Sequence, residues 1–184
     1  QQSEAEEEKV EFIRFQGDIQ NYAEIMDWLN SMKDVDVDGI FHLAALVPTM
    51  EVDKDPLRAC RVNTLGTLNL LEACRNHFGV DKCPWIFVAS TSHVYRSSSS
   101  ENDLVNETSL VQPVSTYGLT KAQADAWCDV YRTKYKLSIC TGRIFSYSAP
   151  NQASSFFIPS LIEKIKNAPM NGRLEMRGLD GTRD

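Results

Sequence analysis

Tyr117 and Lys121 stand four residues apart in the run Pro113 to Lys121, PVSTYGLTK. On a helix that spacing puts phenol and ammonium on one face. A neighbouring ammonium favours the phenolate, so a tyrosine whose free pKa is about 10 moves toward working pH and becomes a proton donor or acceptor. The pair alone is common on helix surfaces; its upstream context sharpens it. The apolar run Trp85 to Ala89 breaks into Ser90, Thr91, Ser92, His93, Val94 and Tyr95, a strand that ends at hydroxyl groups able to bind the same oxygen. A hydroxyl to position an oxygen, a tyrosine to move its proton and a lysine to hold the tyrosine's pKa and anchor a ribose are the parts for hydride chemistry at a carbonyl or carbinol.

Regular elements must present these groups. Val10 to Phe15 alternates apolar and polar residues and meets Gly17 and Asp18, which predicts a strand and a turn. Tyr22, Ile25 and Leu29 recur at helical spacing, and Asp38 to Ala45, DGIFHLAA, predicts a buried strand closed by small residues. Asp55 and Pro56 form a cap and first turn for one long helix carrying Leu68, Leu71, Cys74 and Phe78. The serine-rich, acidic stretch Arg96 to Val114, including Ser97 to Ser100, predicts an exposed loop. Thr116 opens a helix through Ala124, Cys128, Tyr131 and Tyr135, and Leu137 to Phe145 is strand-like. Ile158, Leu161, Ile162 and Ile165 predict an amphipathic helix before a polar tail, Gly178 to Asp184. Alternating helix and strand predicts a doubly wound parallel sheet with helices on both faces and ligands at the carboxyl ends of its strands.

Composition excludes other classes. The 184 residues carry 19 Lys and Arg against 25 Asp and Glu, a net charge of −6, which argues against nucleic acid as a partner. No apolar run approaches the roughly 18 residues of a membrane span, and the acidic start lacks the pattern of a secretory signal, so a cytoplasmic address is the default expectation. Five cysteines, Cys60, Cys74, Cys83, Cys128 and Cys140, include no CxxC pair and are read as reduced small hydrophobes, with no metal site expected.

Six ordered motifs resemble the extended short-chain dehydrogenase/reductases, specifically the NAD-dependent epimerase/dehydratase branch acting on nucleotide-activated sugars. They are Gly17 to Ile19; His42 to Ala45; Asn63, Gly66, Thr67 and Asn69 to Ala73; Ser90 to Tyr95; Tyr117 to Lys121; and Gly142 to Phe145. The resemblance implies a Rossmann-like fold, NAD or NADP as cofactor, a nucleotide-sugar substrate and a homodimer formed through the helices bearing Asn63 and Lys121. It implies Thr91, Tyr117 and Lys121 as the catalytic set. Asp18 and Ile19 would meet adenine, Leu43, Ala44 and Ala45 would line the phosphate and ribose path, and Asn63 would bridge helix and strand. Ser92, His93, Ser146 and Arg183 would face the substrate, Arg183 pairing with its diphosphate.

The departures are equally specific. Dehydratases of this family place an acidic residue after the catalytic threonine, where this chain has Ser92 and His93, so reduction or epimerisation at C4 or a neighbouring carbon is favoured over dehydration. Ser146 stands in place of a frequent asparagine and Ala149 in place of a glycine. The family's opening strand, glycine-rich turn and helix are not in this sequence, which keeps a truncated, non-catalytic binding relative as an alternative beside the 4,6-dehydratase. Residues 1–145 are therefore expected to be a partial dinucleotide-binding domain lacking about 60 residues, a βαβ unit plus a strand. Residues 146–184 are expected to begin a substrate-binding lobe.

Overall fold

A computed structural model describes residues 14–47, 49–96 and 104–169. The chain divides into two compact units, Gln1–Arg143 and Ile144–Asp184.

The first unit opens with α1, Tyr22–Ser31, capped by the Asn21 side chain on the Ala23 N–H and burying Ile25 and Leu29. Strand β1, Gly39–His42, follows, then the short helices α2, Thr49–Lys54, and α3, Pro56–Ala59. Asp55 caps α3 by accepting from the Arg58 N–H, with proline in the first turn. The long helix expected from Pro56 to Phe78 is interrupted: Cys60–Leu65 is wound as a π-helix before α4, Gly66–Phe78. Wider winding turns the consecutive residues Asn63 and Thr64 inward together, and both are buried. Gly79 ends α4 with φ 73°, a conformation that favours glycine.

Strand β2, Trp85–Thr91, leads into a 3₁₀ turn, Ser92–Val94; then come α5, Thr116–Lys134, and β3, Ile139–Ile144. The sheet order is β1-β2-β3, with β1 parallel to β2 from Gly39 opposite Trp85 to His42 opposite Val88. The expected Rossmann-like parallel sheet is present. Strand residues alternate: Ile40, Ile86, Val88 and Ile139 enter a core with Ile25, Leu29, Leu71 and Cys128, whereas Phe41 is 64% exposed. Of the two helical layers of a doubly wound sheet, the described residues supply one. Right-handed crossovers advancing in one direction along a sheet put their helices on the same face.

Of the predicted Val10 to Phe15 strand, Arg14 and Phe15 lie in irregular chain and the rest lies outside the described residues, as do Ser97 to Ser100. The connection before α5 is tied back by a bridge between Tyr95 and Val111 and by the Gln112 N–H on the Val94 carbonyl at 2.9 Å. All five cysteines are unpaired; burial pushes the Cys74 and Cys128 thiols up to about 12, whereas Cys140 is exposed rather than buried as its pattern implied.

In the second unit, α6, Phe157–Asn167, forms where the apolar spacing predicted it, with none of its residues buried.

Candidate active site

The end of β2 and the start of α5 meet closely. A Cβ on Gly118 would stand 2.2 Å from the His93 carbonyl oxygen, so only glycine lets α5 approach the turn after Thr91 this tightly. Ser115 caps the helix by accepting from the Gly118 N–H. Tyr117, the second residue of α5, thereby lies against this turn: its ring meets the His93 ring edge to face, centroids 5.7 Å apart. Thr91 Oγ1 accepts the His93 N–H at 3.3 Å, which occupies one lone pair and leaves the hydroxyl proton to be donated. A threonine so oriented suits a carbonyl or alkoxide oxygen.

Lys121 lies one turn further along α5 and is 3% exposed. Burial pulls its ammonium below the ordinary lysine value, while the Asp125 carboxylate and the Cys128 thiol oppose that pull. His42, at the carboxyl end of β1, is 4% exposed; burial holds it down to about 4, the Lys121 charge adding to the effect, so it is neutral at pH 7. The Thr67 hydroxyl donates to the Asn63 carbonyl at 2.7 Å and can therefore only accept from His42 Nε2, 2.9 Å away. The proton of His42 accordingly sits on Nε2.

Asn63, fully buried, holds the chain after β1 to α5. Its Oδ1 accepts the Leu46 N–H at 2.7 Å, and its Nδ2 donates to Thr120 Oγ1 at 3.0 Å. Thr120 passes the connection on, donating to the Tyr117 carbonyl at 2.9 Å. Asn63 thus bridges two elements of the site with its side chain, through a helix whose π-winding brings it there.

Leu43, Ala44 and Ala45 leave the end of β1 as irregular chain, Leu43 and Ala44 exposed and Ala45 half-buried. Asp18 and Ile19 form a turn held to α4 by Asn69, whose Nδ2 donates to the carbonyls of Ile19 and Gln20 at 3.2 and 3.0 Å. The Gln20 backbone and side-chain N–H groups hold the Asp18 carboxyl below its ordinary value. The two alanines at this open strand end leave room for part of a dinucleotide; no glycine-rich pyrophosphate cradle stands among the described residues. Ser92 is half-buried and His93 exposed at the mouth of the site. Ser146 lies exposed in the second unit, and Arg183 lies outside the described residues.

Ser90, Thr120 and Arg143 stand inside the sequence motifs, Ser90 as one of the strand-end hydroxyls and the other two without a role of their own, whereas Asp125 lies outside them. Asp125 carried a signal, its place four residues after Lys121.

A Rossmann-like sheet carrying a threonine at one strand end and a Tyr-Lys pair on the following helix defines a nicotinamide-dependent short-chain oxidoreductase scaffold. The family model for GDP-mannose 4,6-dehydratase matches residues 1–184. The chain belongs to this family of extended, NAD-dependent epimerase/dehydratase-type enzymes. A GDP-mannose 4,6-dehydratase of Sordaria araneosa is 28% identical over 170 residues, 91% of this chain and 30% of that protein. A GDP-6-deoxy-D-mannose reductase of Pseudomonas aeruginosa is 29% identical over 152 residues, 80% of this chain and 48% of its own length. The UDP-glucuronic acid 4-epimerase of Bacillus cereus, solved with UDP-glucuronic acid and NAD, superposes with a TM-score of 0.68 at 30% identity, covering 82% of this chain and 44% of that one. The chain thus spans about half or less of the length of these relatives. No helix among the described residues is long and apolar enough to cross a membrane.

Proposed function

We propose that the protein catalyses NAD- or NADP-dependent reduction or C4-type epimerisation of a nucleotide-activated sugar. The observation that carries this reading is that Thr91 and the Tyr117 ring both meet His93 where β2 ends and α5 begins, with buried Lys121 one turn further along the helix. Thr91 donates to the sugar oxygen that is oxidised or reduced. Tyr117 exchanges the proton of that oxygen, and Lys121 lends the positive field that makes a phenolate accessible. A nicotinamide dinucleotide, held by Leu43, Ala44, Ala45, Asp18 and Ile19 together with Lys121, supplies hydride donation and acceptance when bound. His93 beside Tyr117, where dehydratases of the family carry a carboxylate, favours these reactions over dehydration.

Dehydration of a nucleotide hexose is the second reading, favoured by the matching family and by the Sordaria relative. In that reading His93 does the acid-base work of the carboxylate. Residues 146–184 begin the substrate-binding lobe, with Ser146 and Arg183 toward the sugar nucleotide; the change of unit at Ile144 supports this division. The homodimer forms through the outer face of α5 and the π-helix, where an open groove of about 520 Å³ is lined by Leu65, Trp127 and Val130.

The test incubates the protein with deuterated NADH or NADPH, or with NAD⁺ or NADP⁺, and a panel of GDP-, UDP- and dTDP-hexoses and their 4-keto forms. Products are read by mass spectrometry. Deuterium on the sugar, or a C4 epimer, lost in Tyr117→Phe, supports the first reading. Loss of water, abolished by His93→Ala, supports the second. No Tyr117-dependent product overturns both.

A further inference from the structure

One buried charge has no part in the chemistry above. Asp125 is 5% exposed, one turn beyond Lys121 on the same face of α5. We propose that Asp125 is a positioning residue: its carboxylate holds the Lys121 ammonium from one helical turn away and ties it, through Arg143, to Tyr95 and the connection leading into α5.

Two cations act on this one anion, Arg143 by direct contact and Lys121 from the preceding turn of the same helix. Arg143 Nε donates to Asp125 Oδ2 at 3.0 Å, and Arg143 Nη1 donates to the Tyr95 hydroxyl at 2.8 Å and the Glu107 carbonyl at 3.4 Å. The guanidinium also lies over the Tyr95 ring, 5.1 Å from its centroid. A pair kept for packing alone closes on itself, with both carboxylate oxygens satisfied. This one is open: Oδ1 is buried without a hydrogen-bond partner, and Lys121 is the second cation acting on the carboxylate. Ser90 Oγ, also buried without a partner, lies near enough to favour the charged carboxylate but outside hydrogen-bond geometry. Burial pushes the Asp125 carboxyl up, and the Ser90 hydroxyl, Arg143 and Lys121 bring it back.

Among the described residues, the charged and titratable groups around Lys121 come from three elements. From α5 come Tyr117, Asp125 and Cys128, from β1 the neutral His42, and from β3 Arg143, acting through Asp125; His93 stands beyond Tyr117. Asp125 is the anion among them. Without it the Cys128 thiol alone would oppose the desolvation of Lys121, and the lysine's charge would be lost at lower pH.

The inference rests on reading Tyr117 and Lys121 as the proton-moving pair, yet its test needs no turnover. The protein is labelled with ¹³C-lysine, the Lys121 Cε resonance is assigned by its loss in Lys121→Arg, and its titration midpoint is followed by NMR. Asp125→Asn is expected to lower the midpoint by about one unit or more. Arg143→Gln, which leaves the carboxylate to Lys121 alone, is expected to raise it, and decides the matter if Asp125→Asn does not fold. An unmoved midpoint in the folded variants overturns the proposal. Midpoints that move as expected in a protein without Tyr117-dependent turnover support the coupling and overturn the enzymatic reading.

Discussion

Two buried polar clusters meet α5, and they differ in how their hydrogen bonds are spent. Asn63, Thr67, Thr120 and His42 form a neutral chain in which each side chain is bonded to the next element. Ser90, Lys121, Asp125 and Arg143 form a charged group in which Ser90 Oγ and Asp125 Oδ1 are buried without partners. A satisfied neutral network costs little to bury and locks geometry, whereas an open charged one is costly to bury and stays responsive to what binds beside it. On the proposed function the first is scaffold and the second machinery. The boundary between them runs along α5 itself, since Thr120 belongs to one and Lys121 to the other.

The sharpest way to break this division is to remove chemistry without touching scaffold. Tyr117→Phe is expected to cut turnover by about 10³-fold, roughly 4 kcal/mol in the barrier, while costing less than about 1 kcal/mol of stability. Steady-state kinetics and denaturant unfolding of the same preparation read both. Conversely, Asn63→Ala removes bonds to Leu46 and Thr120 and leaves the part-buried Leu46 N–H and the buried Thr120 hydroxyl each short of a partner. It is expected to cost about 3 kcal/mol in urea unfolding. A loss below about 1 kcal/mol would remove Asn63 from the scaffold.

A third test uses acid. His42 is held at about 4 against an ordinary 6.5. Above pH 6.5 the folded and unfolded states are both neutral there and nothing depends on pH. As pH falls from 6.5 toward 4, the unfolded chain takes a proton that the folded one refuses, so stability declines by at most about 3 kcal/mol. His42→Gln, which can keep a donor to Thr67, is expected to flatten that decline in unfolding measured across the window; an unchanged slope would assign it to other groups. The smallest effects compare one hydroxyl from each cluster. Thr120→Val is expected to cost about 1–2 kcal/mol because its partners lose a bond, whereas Ser90→Ala is expected to stay within about 0.5 kcal/mol. Equal costs in calorimetry would erase the contrast between the clusters.

Much of this was legible in order along the chain. Three strands, the helices beginning at Tyr22, Pro56 and Thr116, and the Tyr-Lys pair follow from apolar periodicity, caps and spacing, which are local properties. The role of Asn63 as a bridge was legible only through family resemblance, and the π-winding that achieves it left no mark in the pattern. Helix α6 shows the reverse limit: its apolar stripe predicts a helix well, yet none of its residues is buried within the described structure.

By itself, then, the sequence determined the elements, the family and the spacing of the Tyr-Lys pair, because these depend on residue type and on neighbours three or four positions away. Tertiary structure decided which polar groups are buried, and with whom. Spacing singled out Lys121 in the sequence, but nothing there marked Lys121, Asp125 or His42 as buried. Only tertiary packing, for α5 against β2 and the π-helix, takes them out of water, where desolvation is the largest influence on the charge of each.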